Sequence, residues 1–199
     1  MDTFLNAAPL IVALKIDEAS QNFFNEQRKK YFPAYCNYVD AHITLFHKLP
    51  SNKIDIEHIL EKFSKRKSFE LEIANLVLQS NGIDYKIECE TLLQLHKEMQ
   101  ENLSGYLIRN DRKKLCPHIT IQSKVTAYKA FKTYTTLLST FKPTSATAIG
   151  FSCWYYVKGY WEKKGEYLFG SENDCNLVNG SPSSNIVFTL IGISLFAFS

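Results

Sequence analysis

The sequence predicts an α+β protein of duplicated, bilobal build: two small, mainly antiparallel sheets, helices on their outer faces and a central cleft. Three observations lead there. Runs of alternating apolar, β-branched and aromatic residues interleave with runs of helical periodicity. The tetrapeptide His42-Ile43-Thr44-Leu45 returns as His118-Ile119-Thr120-Ile121. The 76-residue spacing of the two histidines carries the element order of the first half onto the second.

The elements follow in chain order. Residues 10–15 alternate as a strand. Asp17 can cap a helix carrying Phe23, Phe24 and Tyr31. Residues 41–47 hold the first His-x-Thr strand. Asp55 can cap a second helix with Ile56, Ile59, Leu60 and Phe63 at i, i+3, i+4 and i+7. Residues 69–78 and 83–89 read as strands. Thr91 and Gln94 form a capping box ahead of Leu92, Leu95, Met99 and Leu103. The second His-x-Thr strand spans 118–122. Thr126 then precedes Ala127, Phe131, Tyr134, Leu138 and Phe141 at helical spacing. Residues 146–157 form a long strand, and 165–169 can add an edge strand to the second lobe.

The order strand, helix, His-x-Thr strand, helix, strand therefore occurs twice. The offset lays Ile11 on Ile87, Ile59 on Thr135, residues 69–78 on 145–154, and the first helix on the third. Two lobes, about 1–80 and 81–170, related by a pseudo-twofold axis would face their His-Thr pairs across one cleft. The pattern leaves exchange of a strand between lobes open. A polar linker, 171–185, and an apolar tail, 186–199, follow.

The composition bounds the function. An apolar content of 45% with 14% aromatics suits a globular chain, and a net charge of +3 tolerates a polyanionic partner without demanding one. Five scattered cysteines without a C-x-x-C argue for a reducing, cytoplasmic setting and against a thiolate zinc site. The N-terminus lacks the basic region of a signal peptide. The tail is shorter than the roughly 17–25 residues of a usual membrane span. Its plain reading is an accessory strand or helix, or a non-native extension, with a membrane-associating tail as the alternative.

In a strand, alternate side chains share a face, so each motif buries its apolar residues and presents a His-Thr pair. Two imidazoles supply an acid and a base near neutral pH. Cleaving a phosphodiester without a metal needs one of each, on opposite sides of phosphorus. That assigns His42 and His118 to catalysis, with the assignment of acid and base open. It assigns Thr44 and Thr120 to donation onto non-bridging oxygens as charge builds there.

The two motifs, their separation and the flanking text Asn37-Tyr38-Val39-Asp40-Ala41-His42-Ile43-Thr44-Leu45-Phe46-His47 and Pro117-His118-Ile119-Thr120-Ile121-Gln122-Ser123-Lys124-Val125 resemble the two-histidine phosphoesterase superfamily. The resemblance is closest to its bacterial 2′-5′ RNA ligase-like members and covers about residues 8–169. It implies a bilobal fold, a metal-independent site between the lobes, no cofactor, and action on 2′,3′-cyclic phosphates or 2′-5′ linkages. It carries the four roles onto His42, His118, Thr44 and Thr120. It does not choose among RNA ends, small cyclic nucleotides and nucleotide-sugar cyclic phosphates.

The remaining candidates are weaker. His47, five residues after His42, points to the opposite face if the strand stays regular. With no acidic cluster nearby, a zinc site of His42, His47 and His118 is not expected. His58 reads as solvated and His96 as partly packed. Lys124 continues the His118–Thr120 face and is a phosphate contact or a solvated strand end. The run Arg109-Asn110-Asp111-Arg112-Lys113-Lys114 reads as a solvated loop, with substrate steering through Arg112 as the alternative. Tyr155 is a candidate base-stacking residue on the face opposite the core, with Tyr38 and Phe46 as similar candidates. There is no glycine-rich phosphate loop, G-x-S-x-G or dinucleotide fingerprint.

The sequence thus reads as a monomeric cyclic phosphodiesterase or 2′-5′ RNA ligase-like hydrolase acting on a nucleotide or RNA end. The alternatives are end joining by the reverse reaction, and a module that binds RNA or a nucleotide without turnover.

Overall fold

A computed structural model describes residues 8–158 and 160–170. The expected linker and apolar tail lie outside these residues. The described elements are β1 (Leu10–Ile16), α1 (Glu18–Tyr31), β2 (Ile43–Leu49), α2 (Ile54–Ser64), β3 (Phe69–Gln79), β4 (Gly82–Glu88), α3 (Glu90–Asn102), β5 (His118–Gln122), α4 (Ala127–Leu138), β6 (Thr144–Val157) and β7 (Tyr160–Leu168), with a 3₁₀ turn at Ala34–Cys36. This is the α+β class the periodicities predict.

Local signals explain most boundaries. Asp17 accepts the Ser20 N–H at 2.9 Å and so caps α1. Its other oxygen accepts the Thr147 N–H at 2.7 Å, clipping the helix start to β6. Thr126 caps α4 through the Lys129 N–H. Two expected caps differ. The helix α3 begins one residue before Thr91, and the Cys89 sulfur accepts the Leu92 N–H in place of a Thr91–Gln94 box. Asp55 lies inside α2, which has no side-chain cap, and accepts the Tyr106 hydroxyl at 2.8 Å. An N-cap must be the last non-helical residue, and Asp55 and Thr91 each lie two positions past it, at Lys53 and Cys89.

All strand pairings are antiparallel, in the order β2-β1-β6-β3-β4-β5, with β7 also on β6. The strand β6 is the hub. Residues 148–155 pair with β1, 144–148 with β3 and 150–157 with β7. Under the duplication, β1, β2 and β3 correspond to β4, β5 and β6. The order is then a palindrome in which each half lends its third strand to the other half's trio. The β3–β6 pairing joins the trios into one continuous sheet, where the pattern predicts two. Alternation along a strand says which face is buried, not which edges meet.

The helices bury the faces their periodicity dictates, with one change. Ile56, Leu60 and Phe63 of α2, and Leu92, Leu95 and Met99 of α3, are buried. Each full burial of this kind stabilises by about 1.5–3 kcal/mol. On α1, Phe24 is buried edge-on to Tyr85 at 5.2 Å, while Phe23 is exposed. On α4, Tyr134 and Phe141 of the expected stripe meet the core, while Phe131 and Leu138 face outward. Ala130 is buried in their place, with Leu137 also packed on the core. Both stripes have helical spacing, and the small Ala130 permits closer approach to the sheet.

Candidate functional site

The two motif strands share an irregularity the sequence does not announce. Ala13 pairs with Thr44 and Val12 with Phe46, so Leu45 is an extra residue in β2. Asp84 pairs with Thr120 and Ile83 with Gln122, so Ile121 is an extra residue in β5. Each is a β-bulge one residue past the threonine. Burial shows the same repeat. Leu45 and Phe46 are buried in succession, as are Ile121 and Gln122, whereas His42, Thr44 and Thr120 are partly exposed and His118 is exposed. The register also revises the offset. The motif strands are 76 residues apart, but β1 matches β4 at 71, so Ile16 rather than Ile11 is the counterpart of Ile87.

The imidazoles are held identically. The His42 Nδ1 lies 2.7 Å from the Asp40 carbonyl, and the His118 Nδ1 lies 2.8 Å from the Cys116 carbonyl. A carbonyl only accepts, so Nδ1 carries the hydrogen and donates in both. Each ring leaves Nε2 free to take or give a proton. Burial pushes His42 from the ordinary 6.5 down to about 4, the Asp40 hydrogen bond opposes this, and the charges of Arg28, His118 and His47 add to it. The two motifs are thus electrostatic neighbours. Strands β2 and β5 stand at opposite ends of the sheet order yet touch, so the sheet curls to bring them together.

A polar stripe on α1 grips both motifs. Gln21 donates to the Ala41 carbonyl at 2.8 Å, and the Asn25 side-chain oxygen accepts the Ala41 N–H at 2.8 Å. Arg28 reaches the other half, donating to the Thr120 carbonyl at 2.6 Å and to Asn37 at 3.2 Å. Its guanidinium lies 4.1 Å from the Phe32 ring centroid and is buried. Sequence reasoning missed these residues. The available signal was spacing: 21, 25 and 28 share a helix face, with Arg28 one turn after the buried Phe24.

The sequence model of the 2′-5′ RNA ligase superfamily matches residues 16–159. The chain belongs to this superfamily. That agrees with the two-histidine phosphoesterase resemblance and makes the protein a member of an enzyme superfamily. No curated protein sequence matches the chain significantly. Among solved structures, TT0787 of Thermus thermophilus has a similar fold, with a TM-score of 0.57 at 16% identity over 82% of this chain and 99% of that one. Escherichia coli LigT complexed with 3′-AMP has a TM-score of 0.52 at 16% identity over 81% and 98%.

Around the histidines, this 2′-5′ RNA ligase superfamily member presents aromatic and charged walls. Trp161 of β7 lies 4.7 Å from the His42 ring, centroid to centroid, and 6.3 Å from Trp154. Trp161 was missed because the expected edge strand begins at 165; the Lys-Gly dipeptide between two aromatic runs is the sequence signal for a longer hairpin. A cavity of about 440 Å³ is lined by His42, Asp40, Gln21, Ser152, Trp154 and Lys163, among others.

Other predicted site residues sit elsewhere. Tyr155 packs on the core under Lys164, and Trp154 takes the cavity side of β6, which reverses the expected faces. Phe46 is fully buried and stacks on His96 at 4.9 Å, because the bulge turns it inward. His96 is buried and its Nε2 lies 3.0 Å from the Leu45 carbonyl at the bulge. Lys124 lies beyond the end of β5 with a left-handed φ of 60°, so strand parity does not reach it. Arg112 donates to the Leu107 carbonyl at 3.1 Å and is exposed. Tyr38 is exposed, with its hydroxyl on the Tyr35 carbonyl and its ring 5.6 Å from Tyr160. His58 is exposed on α2.

His47 departs furthest from expectation. The bulge restores it to the exposed side, where it acts electrostatically on His42. Among the described residues no three His, Cys, Asp or Glu side chains converge as metal ligands, and no helix is long and apolar enough to cross a membrane.

Proposed function

We propose that the protein is a metal-independent phosphoesterase that opens 2′,3′-cyclic phosphates or cleaves 2′-5′ phosphodiesters of nucleotides or RNA ends. The observation that carries this reading is the matched pair of imidazoles. Each has Nδ1 held on the carbonyl two residues before it, and each offers Nε2 from one of two touching strands.

The roles follow from chemistry. His42, pushed down to about 4, is neutral at pH 7 and takes the base role. Its Nε2 accepts a proton from water as the water oxygen bonds to phosphorus. The P–O bond to the ribose 2′ or 3′ oxygen breaks, and His118 passes a proton from Nε2 to that leaving oxygen. The Thr44 and Thr120 hydroxyls donate to the non-bridging oxygens. Membership of the superfamily supports the reaction class, and the 3′-AMP held by LigT supports a nucleotide ligand. We place the activity within residues 1–170.

The test is a panel of 2′,3′-cyclic nucleotides and a cyclic-phosphate RNA oligomer, assayed with EDTA present. Turnover that survives EDTA and is lost in His42→Ala and His118→Ala is the expected result. Binding without turnover, or turnover lost to EDTA and restored by metal, overturns it. The superfamily's name favours one second reading, end joining by the same residues in reverse. Ligated product from two RNA halves, one ending in a cyclic phosphate, is its signature.

A further inference from the structure

We propose that His47, set in place by the buried carboxylate of Asp111, is an anion-binding residue beside the reacting phosphate and selects substrates that carry a second phosphate. The inference rests on the phosphoesterase reading and deepens it, moving the substrate class from cyclic mononucleotides toward RNA ends and bisphosphates.

The dyad is built across the two halves of the chain. The His47 Nδ1 lies 2.8 Å from an Asp111 oxygen, and the Asp111 side chain is 0% exposed while that of His47 is 56% exposed. The same carboxylate accepts the His47 N–H at 3.1 Å and the Lys48 N–H at 3.2 Å. Burial alone would raise the Asp111 carboxyl, but the hydrogen bonds from the His47 ring and from the two backbone amides outweigh it and hold it below the ordinary value. From α3, Gln100 donates to the Asp111 carbonyl at 2.7 Å and to the Lys113 carbonyl at 2.8 Å, which fixes the loop under β2.

Burying a carboxylate costs free energy unless it is fully bonded. The two amides alone would staple the loop to the strand. The bond to an exposed imidazole adds orientation: Nδ1 is committed, which leaves Nε2 as the nitrogen available to a ligand. The β2 bulge puts that ring on the exposed side with His42 and Thr44, and His47 is one of the charges that depress His42. Both proton-transfer roles are already filled, so an oriented third imidazole is free for recognition. Lys48 follows it in the chain, and Arg109, Arg112 and Lys113 flank Asp111 in sequence; all four are exposed cations suited to phosphate. The position equivalent to His47 in the second motif is Ser123, so the device is one-sided and reads one flank of the scissile phosphate.

The experiment compares a nucleoside 3′-phosphate with the corresponding 3′,5′-bisphosphate by calorimetry. It also compares a 2′,3′-cyclic mononucleotide with a dinucleotide ending in the same cyclic phosphate by steady-state kinetics. Wild type should prefer the two-phosphate member of each pair. His47→Ala should shrink the affinity ratio about tenfold or more and act on KM rather than kcat for the dinucleotide, and His47→Arg should restore much of the ratio. No wild-type preference, or equal losses on both members of a pair, overturns the proposal. A preserved binding ratio with no turnover of either cyclic substrate would overturn the phosphoesterase reading and leave the anion site standing.

Discussion

The segments at β2 and β5 carry the same His-Ile-Thr run, a bulge at the same place and the same imidazole-to-carbonyl bond, but different neighbours surround them. His42 is partly buried against Trp161, with Gln21 and Asn25 holding Ala41 just before it and His47 and Asp111 beyond the bulge. His118 is exposed, its strand is held by Arg28 on the Thr120 carbonyl, and the Gln122 side chain in its bulge donates to Tyr31 and Thr133. The lesson is a division of labour. On the proposed mechanism, the repeated backbone supplies two equivalent proton carriers. Residues outside the repeat make them unequal, and unequal groups are what acid–base catalysis needs.

The comparison breaks most visibly at the histidines. His42→Ala and His118→Ala should each lower kcat by about 10²–10⁴-fold, and the double variant should fall far short of the product of the two losses. Steady-state kinetics on a cyclic nucleotide checks both. A loss at only one histidine would mean that the halves do not act as a pair.

The threonines come next. Thr44→Val and Thr120→Val keep shape while removing a donor, and each should cost about 10²–10³-fold in kcat if its hydroxyl meets the developing charge. Unequal losses would show which half the phosphate leans on.

The supports of β5 should matter to stability more than to chemistry. A Cβ at Gly82 would stand 2.0 Å from the Gln122 carbonyl oxygen, so Gly82→Ala should destabilise by about 1–3 kcal/mol through forced displacement of the bulge. Arg28→Met should cost a similar amount, about 1–3 kcal/mol, by leaving the Thr120 carbonyl without its donor. Denaturant unfolding with both variants measures this.

The two histidine environments also differ in pH dependence, through His42. The His42 value of about 4 lies below its ordinary 6.5, so the unfolded chain takes up a proton before the folded one does. Stability from this group is full above 6.5 and is lost as pH falls from 6.5 toward 4. His42→Gln should flatten that part of the unfolding curve. In the active enzyme, the acid limb of kcat/KM should fall near pH 4, and Arg28→Met should move it upward by removing a nearby positive charge.

Legibility in the sequence followed the range of the forces involved. Asp17 and Thr126 were readable as caps because a cap is made within a single helical turn. The interior stripe of α3 was readable from its spacing, whereas α4 offered two stripes and only the sheet beneath could choose between them. The faces of Lys124 and His47 were misjudged because counting by twos assumes the strand stays regular, whereas for Tyr155 alternation offered two faces and no signal for which one meets the core. A single extra residue moves every later side chain to the other side.

By itself the sequence determined the succession of strands and helices in outline and the two His-Thr pairs, since alternation, helical spacing and the repeated tetrapeptide are local properties of the chain. Only the tertiary structure decided that each half lends a strand to the other, that both motif strands bulge after the threonine, that a helix of the first half grips both motifs, and that Asp111 orients the His47 ring. Those outcomes depend on edges, carbonyls and buried charges meeting across long stretches of chain, and no spacing within a segment encodes them.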